Sequence, residues 1–338
     1  MIDWFSGLLP VHHQTLKGGE VFKILPDGEV DWRASCSIHV KGSFDDTYTV
    51  KSAGITDESG STHLYISGNP SKFLQGHNIF GSNDLLLLVF DTYLKICESL
   101  NIQPSTEECD QVKQGDYVLT RIDINESWEL PTRNDVNSWI RAAEYKSKTR
   151  HGRPQMKGGT LYFGKNSRRW SIKAYCKADE INASGHQLPL HLKINKDLNN
   201  WVENKLRIEL TLRKLEFERL NIELAKELTT NKINTIFKEY IRRLDMNKQS
   251  RLSDDKLLNL PTKLRSTYIL WDRGEDVRYA LPKATFYRHR KELKLFGIDI
   301  TFPKDISTKS NVVPLFKVLE AVPVDVPDWA YDQHLIHY

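Results

Sequence analysis

Residues 171–177 read Ser-Ile-Lys-Ala-Tyr-Cys-Lys, and this short stretch decides the expected fold. Its odd-numbered side chains are polar or aromatic and its even-numbered ones are mostly apolar, which is the alternation of a β-strand with one buried face. Tyr175 therefore stands between Lys173 and Lys177 on the polar face. No acidic residue occurs from Tyr145 to Ala178, so this tyrosine lies in basic surroundings.

Neighbouring segments extend the strand into a sheet. Residues 160–163 precede it across a short turn and predict a hairpin. Residues 117–124 and 205–213 alternate in the same way, the second of them most regularly. With helices predicted over residues 83–100 and 133–143, the pattern indicates an α+β fold with a central antiparallel sheet and flanking helices. The polar face of 205–213 is either solvent-exposed or the floor of an active site.

The composition becomes helical after residue 213. We expect a first domain over residues 1–213, a helical connector over 214–249, and a mostly helical C-terminal region with a tail over 250–338. Helices are predicted over residues 262–279 and 283–296 within this last region.

The helix predicted over residues 283–296 is basic and follows Pro282, as helix starts often do. Phe286, Leu293 and Leu295 are expected to face inward. Basic and hydroxyl side chains remain for one outer surface: Lys283, Thr285, Tyr287, Arg288, Arg290 and Lys291. This pattern is typical of the recognition helix of a helix-turn-helix, which contacts DNA; an ordinary solvated helix is the alternative.

The totals exclude several classes of protein. Of 338 residues, 39% are hydrophobic and 27% charged, which indicates packed soluble domains. The four cysteines lack paired short spacing, which argues against a zinc site or a disulfide framework and favours a reducing cytoplasm. The N-terminus does not resemble a signal peptide, and the longest apolar run, residues 85–90, is too short to cross a membrane.

Polar groups on the predicted sheet suit metal-assisted phosphoryl transfer. Asp123 and Glu209 lie on the polar faces of their strands, and His77 shares a face with Gln75 if that segment is extended. Mg²⁺ or Mn²⁺ held by Asp123, Glu209 and His77, with Gln75 as a weaker candidate, would polarise a phosphate ester. The ammonium of Lys177, or that of Lys173 on the same strand face, would favour the phenolate of Tyr175 as a nucleophile.

Each of these side chains also has a structural interpretation. A tyrosine in a strand is usually a half-buried packing residue. Asp123 and Glu209 have arginines two residues away and suit surface ion pairs, and His77 suits a loop hydrogen bond. Tyr162, on the partner strand of the hairpin, is a rival nucleophile. Spacing along the chain does not show that these groups converge.

Several blocks of sequence resemble those of the gene II/X replication initiators of filamentous phages. The longest and most specific, residues 69–81, reads Asn-Pro-Ser-Lys-Phe-Leu-Gln-Gly-His-Asn-Ile-Phe-Gly. Shorter blocks follow in the family's order: residues 120–123, 174–177 with Glu180, 206–209, 310–315 and 327–329. The family is grouped with rolling-circle initiators of the His-hydrophobe-His class. This chain departs from that pattern, because Gln75-Gly76-His77 is its nearest equivalent.

The resemblance implies an endonuclease that nicks one strand at a phage or plasmid origin, becomes joined to the 5′ phosphate through tyrosine, and later rejoins the ends. It points to Tyr175, since the family motif does not match at Tyr162, and adds Glu180 as a weaker metal ligand. Residues 1–213 would form the nicking-joining domain. Its basic hairpin is expected to contact DNA through Lys165, Arg168 and Arg169.

The partners implied are double-stranded and single-stranded origin DNA, with a host helicase and DNA polymerase acting alongside. We expect a location in the host bacterial cytoplasm, no membrane partner, and a homodimer on DNA. The alternative function is a non-catalytic regulator that binds the origin and never cuts it.

Overall fold

The computed structural model describes residues 1–42, 44, 46–57, 60–147, 152–183, 187–244, 257, 259–296, 298, 300–301 and 315–337. The strands in these residues are β1 Ile2–His13, β2 Glu20–Ile24, β3 Val30–Ser35, β4 Ile38–Lys41, β5 Thr47–Asp57, β6 Gly60–Gly68, β7 Val118–Glu129, β8 Gln155–Lys157, β9 Thr160–Phe163, β10 Trp170–Cys176 and β11 Lys205–Arg213.

The α-helices are α1 Pro70–Gln75, α2 Leu85–Ser99, α3 Thr106–Gln114, α4 Arg133–Lys146, α5 Lys177–Asn182, α6 Leu190–Lys193, α7 Lys196–Val202, α8 Lys214–Arg219, α9 Thr230–Arg242, α10 Thr262–Asp272, α11 Val277–Ala280, α12 Lys283–Lys294, α13 Leu315–Glu320 and α14 Asp328–Asp332. No helix within the described residues has both the length and the apolarity that crossing a membrane requires.

A nine-stranded sheet forms the centre of the protein, in the order β4-β5-β6-β1-β7-β11-β10-β9-β8. Its neighbouring strands are antiparallel throughout, and β2 pairs with β3 as a separate hairpin. The predicted α+β fold with a central antiparallel sheet is therefore confirmed. The predicted strands 160–163 and 205–213 have the bounds of β9 and β11.

One face of the sheet is an apolar core. The even-numbered side chains of β11, from Leu206 to Leu212, are fully buried there. Helix α9 packs on this face, since the rings of Trp128 and Phe237 stack with centroids 6.3 Å apart and the edge of Trp170 meets Tyr240 at 5.2 Å. Buried aromatic pairs of this kind contribute about 0.5–1.5 kcal/mol each beyond their area.

The opposite face of β11 is polar, yet it is buried as well. Lys205, Arg207, Glu209 and Thr211 are each at most 3% exposed. Of the two interpretations that the sequence allows for this face, the solvent-exposed one is wrong, because these side chains are buried.

The segment after β11 and the end of the chain both return to the large core. Phe217, Ala225 and Ile233 pack into the large core. Residues 214–244 therefore cover the sheet in addition to connecting β11 to the C-terminal region. In the tail, Ala321 accepts a hydrogen bond from the Trp128 indole at 3.1 Å, and Leu335 is buried in the same core.

Helices α10, α11 and α12 enclose a second, smaller core that includes Tyr268, Trp271 and Phe286. The helix predicted over residues 262–279 is two helices, because Gly274 adopts a left-handed conformation (φ 86°) after α10. The prediction that Leu295 faces inward is wrong, since it is 83% exposed beyond the end of α12. The family block at 310–315 lies, apart from Leu315, outside the described residues.

Candidate active site

A cleft of about 490 Å³ opens over the polar face, where β1, β7, β11 and β10 lie side by side. Predicted site residues among its lining are Tyr175, Asp123, Glu209 and Glu180, and the rival Tyr162 lines it too. Lys173, which shares the strand face of Tyr175, lines it as well, as do residues for which the sequence indicates no role, notably Asp3, Asn69, Lys72, Asn78 and Arg121.

Glu209 is the electrostatic centre of the cleft. It lies opposite Lys173 in the β10–β11 ladder and lines the cleft together with Asp123. Its pKa is raised to about 8, mainly by burial and also by the charges of Asp123 and Asp3, while Lys173 opposes the shift. The Lys173 ammonium favours the ionised form of this carboxyl.

Asp123 is held by an arginine of its own strand. The Nε and Nη2 atoms of Arg121 donate to its two oxygens at 2.8 and 2.5 Å. Such a bidentate pair fixes the carboxylate plane. The guanidinium also lies over the Trp4 ring, 5.1 Å from its centroid.

Asp3 reaches the cleft because β1 bulges. Ile2 pairs with Ile124 and Trp4 with Asp123, so Asp3 is an extra residue between two ladder positions. On a regular strand Asp3 and Trp4 would point to opposite faces, yet both line the cleft. The amides of Asn69 and Asn78 donate to Asp3 Oδ1 at 3.0 and 2.8 Å.

Tyr175 lies on the floor of the cleft and is 6% exposed. Burial raises the pKa of its hydroxyl well above 10, the carboxylates of Glu209 and Glu180 raise it further, and Arg207 opposes them. The phenol is therefore protonated at neutral pH. Tyr162 is half-buried, pairs with Lys173 across β9 and β10, and carries the Lys165 ammonium 4.9 Å from its ring centroid.

The structure places Lys177 elsewhere than the sequence predicts. The strand ends at Cys176, and Lys177 begins α5 instead of sharing a strand face with Tyr175. Its fully buried Nζ donates to Asn78 Oδ1 at 2.8 Å and to Glu180 Oε2 at 2.6 Å. Burial lowers its pKa to about 8. Lys173 is the lysine that lines the cleft beside Tyr175.

His77 is not brought together with Asp123 and Glu209. The segment is not extended as expected: α1 ends at Gln75, Gly76 is left-handed (φ 86°), and His77 turns inward to 1% exposure. Its Nδ1 accepts from the Ile79 amide at 3.2 Å, and burial lowers its pKa to about 4. The Gln75 amide caps the carbonyls of His77 and Phe80.

Arg207 holds this segment over the floor. Its Nη1 and Nη2 donate to the carbonyls of Asn78 and Ile79 at 2.5 and 2.6 Å, and its Nε to Ser127 at 3.1 Å. Arg207 thus shapes the cleft wall that presents Asn78. The sequence places Arg207 on a polar face, but only its long-range partners identify this role.

Among the residues that the structure describes, no three His, Cys, Asp or Glu side chains lie close enough together to form a ready-made metal cluster. Asp123 and Glu209 line the same cleft. Glu180 lines the same cleft but is bound by Lys177.

The predicted DNA-contacting residues fall in two places. Lys165, Arg168 and Arg169 are exposed at the turn between β9 and β10. A shallow cavity of about 260 Å³ at this turn shares Tyr162 with the cleft. On α12, Lys283, Tyr287, Arg288 and Lys291 are exposed, whereas Thr285 and Arg290 are partly buried.

Comparison with known proteins identifies relatives over almost the whole chain. Residues 1–231 match the family model of the N-terminal part of the phage gene II "Replication-associated protein", and residues 252–336 match the model of its C-terminal part. The chain is 48% identical over 329 residues to the replication-associated protein of Enterobacteria phage I2-2, covering 97% of this chain and 95% of that one.

More distant relatives carry the same name. Identity is 23% to that of Enterobacteria phage M13, over 80% of this chain and 78% of the relative, and 24% to that of Salmonella phage IKe, over 78% and 74%. No solved structure matches the chain significantly.

Proposed function

The chain belongs to the gene II family of phage replication-associated proteins, which confirms the resemblance to gene II initiators, and from this premise we propose that it initiates rolling-circle replication by nicking and rejoining one DNA strand. The observation that carries the proposal is the cleft in which Tyr175, Asp123, Glu209 and Lys173 meet on one buried polar face. A regulator that only binds DNA has no need of such a face.

Tyr175 is the proposed nucleophile. Its hydroxyl oxygen bonds to the phosphorus, the bond from phosphorus to the 3′ oxygen breaks, and the leaving oxygen takes a proton to become a 3′ hydroxyl. The product is a 5′-phosphotyrosine ester, and attack by a 3′ hydroxyl reverses the step. The phosphotyrosine bond preserves the energy needed for religation.

The phenol needs a proton acceptor, because its raised pKa disfavours the phenolate. Glu209 lines the same cleft on the neighbouring strand, so we place the proton on its carboxylate. Lys173 keeps Glu209 partly ionised, and Arg121 fixes Asp123 beside it.

The donor set of the cleft fits Mg²⁺ or Mn²⁺. Two carboxyl groups, those of Asp123 and Glu209, line the cleft with few further protein ligands, and this set resembles magnesium sites in which substrate phosphate and water complete the shell. The bound ion would supply Lewis-acid polarisation of the scissile phosphate. His77 and Gln75 are engaged elsewhere and do not belong to this set.

DNA contacts are proposed at two surfaces. Lys165, Arg168 and Arg169 at the β9–β10 turn would bind phosphates near the cleft, and the exposed face of α12 would bind origin duplex as a helix-turn-helix does. A host helicase and polymerase would then extend the nicked strand, and a second copy would join on DNA.

The test incubates supercoiled origin plasmid with the full chain in Mg²⁺ or EDTA, followed by denaturing electrophoresis for a protein-linked 5′ end. We expect the adduct in Mg²⁺ alone. Tyr175→Phe should abolish it, while the matched variant Tyr162→Phe retains it. An adduct that survives in Tyr175→Phe and disappears in Tyr162→Phe would transfer the role to Tyr162. Binding without any cutting would establish the regulator instead.

A further inference from the structure

The buried carboxylate of Glu216 contacts three arginines, one of which lies at the basic turn between β9 and β10. Glu216 lies in the first turn of α8, just after β11, and is fully buried. Its Oε1 accepts from Arg219 Nε at 2.9 Å and from the Tyr240 hydroxyl. Arg169 and Arg243 each place an Nη1 atom 3.9 Å from one of its oxygens. Glu216, Tyr240 and these three arginines are called the Glu216 cluster below.

The Glu216 cluster carries a net positive charge. Glu216 faces three guanidinium groups, and Arg243 also contacts Glu239 at 3.4 Å, which leaves one positive charge in excess among these five side chains. The arginine side chains remain accessible, with Arg169, Arg219 and Arg243 exposed by 45, 38 and 31%. Like charges held this closely repel one another unless an anion joins them.

Two features hold the guanidinium groups in place. Arg219 Nη2 also donates to the Tyr240 hydroxyl at 2.8 Å, and the Arg243 guanidinium lies 3.8 Å from the Tyr240 ring centroid. Burial opposes ionisation of Glu216, but hydrogen bonds from Arg219 and Tyr240 lower its pKa, so it stays charged. A planar guanidinium positioned in advance binds a phosphate with little loss of side-chain entropy.

A basic path joins the Glu216 cluster to the cleft. Arg213 pairs with Arg121 across β7 and β11, and Arg121 lines the cleft. The Arg213 amide donates to the Arg169 carbonyl at 2.9 Å, and its Nη1 to Ser171 at 3.2 Å. Arg121, Arg213 and Arg169 therefore follow one another from the cleft to the cluster.

We propose that Arg169, Arg219 and Arg243 form a phosphodiester-binding site that holds the backbone of the DNA strand running into the cleft. The inference rests on the proposed function, since it supplies the path of the strand that Tyr175 attacks. Arg169 was already expected to contact DNA; Arg219 and Arg243 are added by their shared carboxylate.

The test measures binding of a fluorescent single-stranded oligonucleotide to the full chain in EDTA, so that cutting does not interfere. Arg243→Gln is compared with Arg242→Gln, which removes the same charge from the neighbouring exposed position of α9. In a salt titration from about 50 to 200 mM, Arg243→Gln should lower the slope of log K against log salt by about 0.7 for one lost phosphate contact. Its affinity at low salt should fall by roughly 3- to 10-fold. Arg242→Gln should match wild type.

Equal losses of affinity in Arg242→Gln and Arg243→Gln would show only a non-specific effect of charge and would overturn the site. No loss of affinity in Arg243→Gln would overturn it as well. Arg169→Gln, whose exposed guanidinium lies farther from Glu216 than that of Arg219, repeats the comparison if Arg243→Gln melts at a lower temperature. Failure of the wild-type chain to bind DNA would instead overturn the proposed function together with this site. Normal binding by wild type, Arg243→Gln and Arg169→Gln would overturn the site alone.

Discussion

Lys173 and Glu209 face each other on neighbouring strands, and the ammonium of Lys173 lies 2.5 Å from Oε1 of Glu209. Glu209 is 4% exposed in its side chain, whereas Lys173 is 29% exposed. The lysine thus reaches in from the open side of the cleft to stabilise a carboxylate that burial, Asp123 and Asp3 all disfavour.

Replacing Lys173 alone should lower the free energy of unfolding more than replacing Lys173 and Glu209 together. Lys173→Met leaves a buried carboxyl beside Asp123, and we expect a loss of roughly 1–3 kcal/mol in the free energy of unfolding, discounted for the exposure of Lys173. Lys173→Met with Glu209→Gln should recover at least half of that loss. Urea denaturation at pH 7 measures both. Additive losses would show that the two side chains do not interact energetically.

His77 should make the folded protein sensitive to acid. Burial lowers its pKa to about 4 in the fold, against 6.5 for an exposed histidine. Between these values the unfolded chain binds a proton that the folded chain does not, so stability falls as the pH drops from 6.5 towards 4. The full effect amounts to about 3 kcal/mol.

The measurement is the free energy of unfolding of wild type and His77→Phe across this pH range. The phenylalanine keeps a ring of similar size, so its curve should be flatter than that of wild type by the His77 contribution. Parallel curves would mean that His77 is not buried as a neutral ring.

Contacts of the C-terminal residues should stabilise the segment that presents Asn78 to the cleft. Trp329 in α14 meets Phe80 with ring centroids 5.6 Å apart, and the His337 amide donates to Gln75 at 2.7 Å. Phe80 and Gln75 flank the segment that presents Asn78 to Asp3. Trp329→Ala should therefore lower stability by roughly 1–3 kcal/mol and slow nicking.

Val322→Ala is the matched control, because Val322 is 84% exposed on the same tail. Thermal melting and the rate of plasmid nicking are compared for the two variants. An effect of the same size in both variants would show that the contact between Trp329 and Phe80 does not support the cleft.

The exposed face of α12 should serve duplex binding rather than chemistry. Arg288→Ala with Lys291→Ala removes two exposed charges, and we expect weaker binding of origin duplex with unchanged nicking of a single-stranded origin oligonucleotide. Lys238→Ala with Arg242→Ala removes the same charge from exposed positions of α9 and should leave duplex binding unchanged. Equal losses in the two double variants would reject a specific role for α12.

Local alternation made much of the sheet predictable. The bounds of β9 and β11 follow from period-two patterns, and the polar faces of β7, β10 and β11 correctly grouped Asp123, Tyr175 and Glu209. Prediction failed where a single backbone conformation ended an element. Gly76 and Gly274 interrupt segments whose side-chain pattern would otherwise continue.

By itself the sequence determined the α+β class, the family, and the acidic and phenolic groups on one sheet face, because these depend on neighbours in the chain or on ordered blocks. The tertiary structure alone decided which groups meet. Asp3 enters the cleft through a bulge, Lys177 binds Asn78 across 99 positions, and Arg243 joins Arg169 around Glu216. Such contacts depend on strand order and on the burial of charge, which no local pattern encodes.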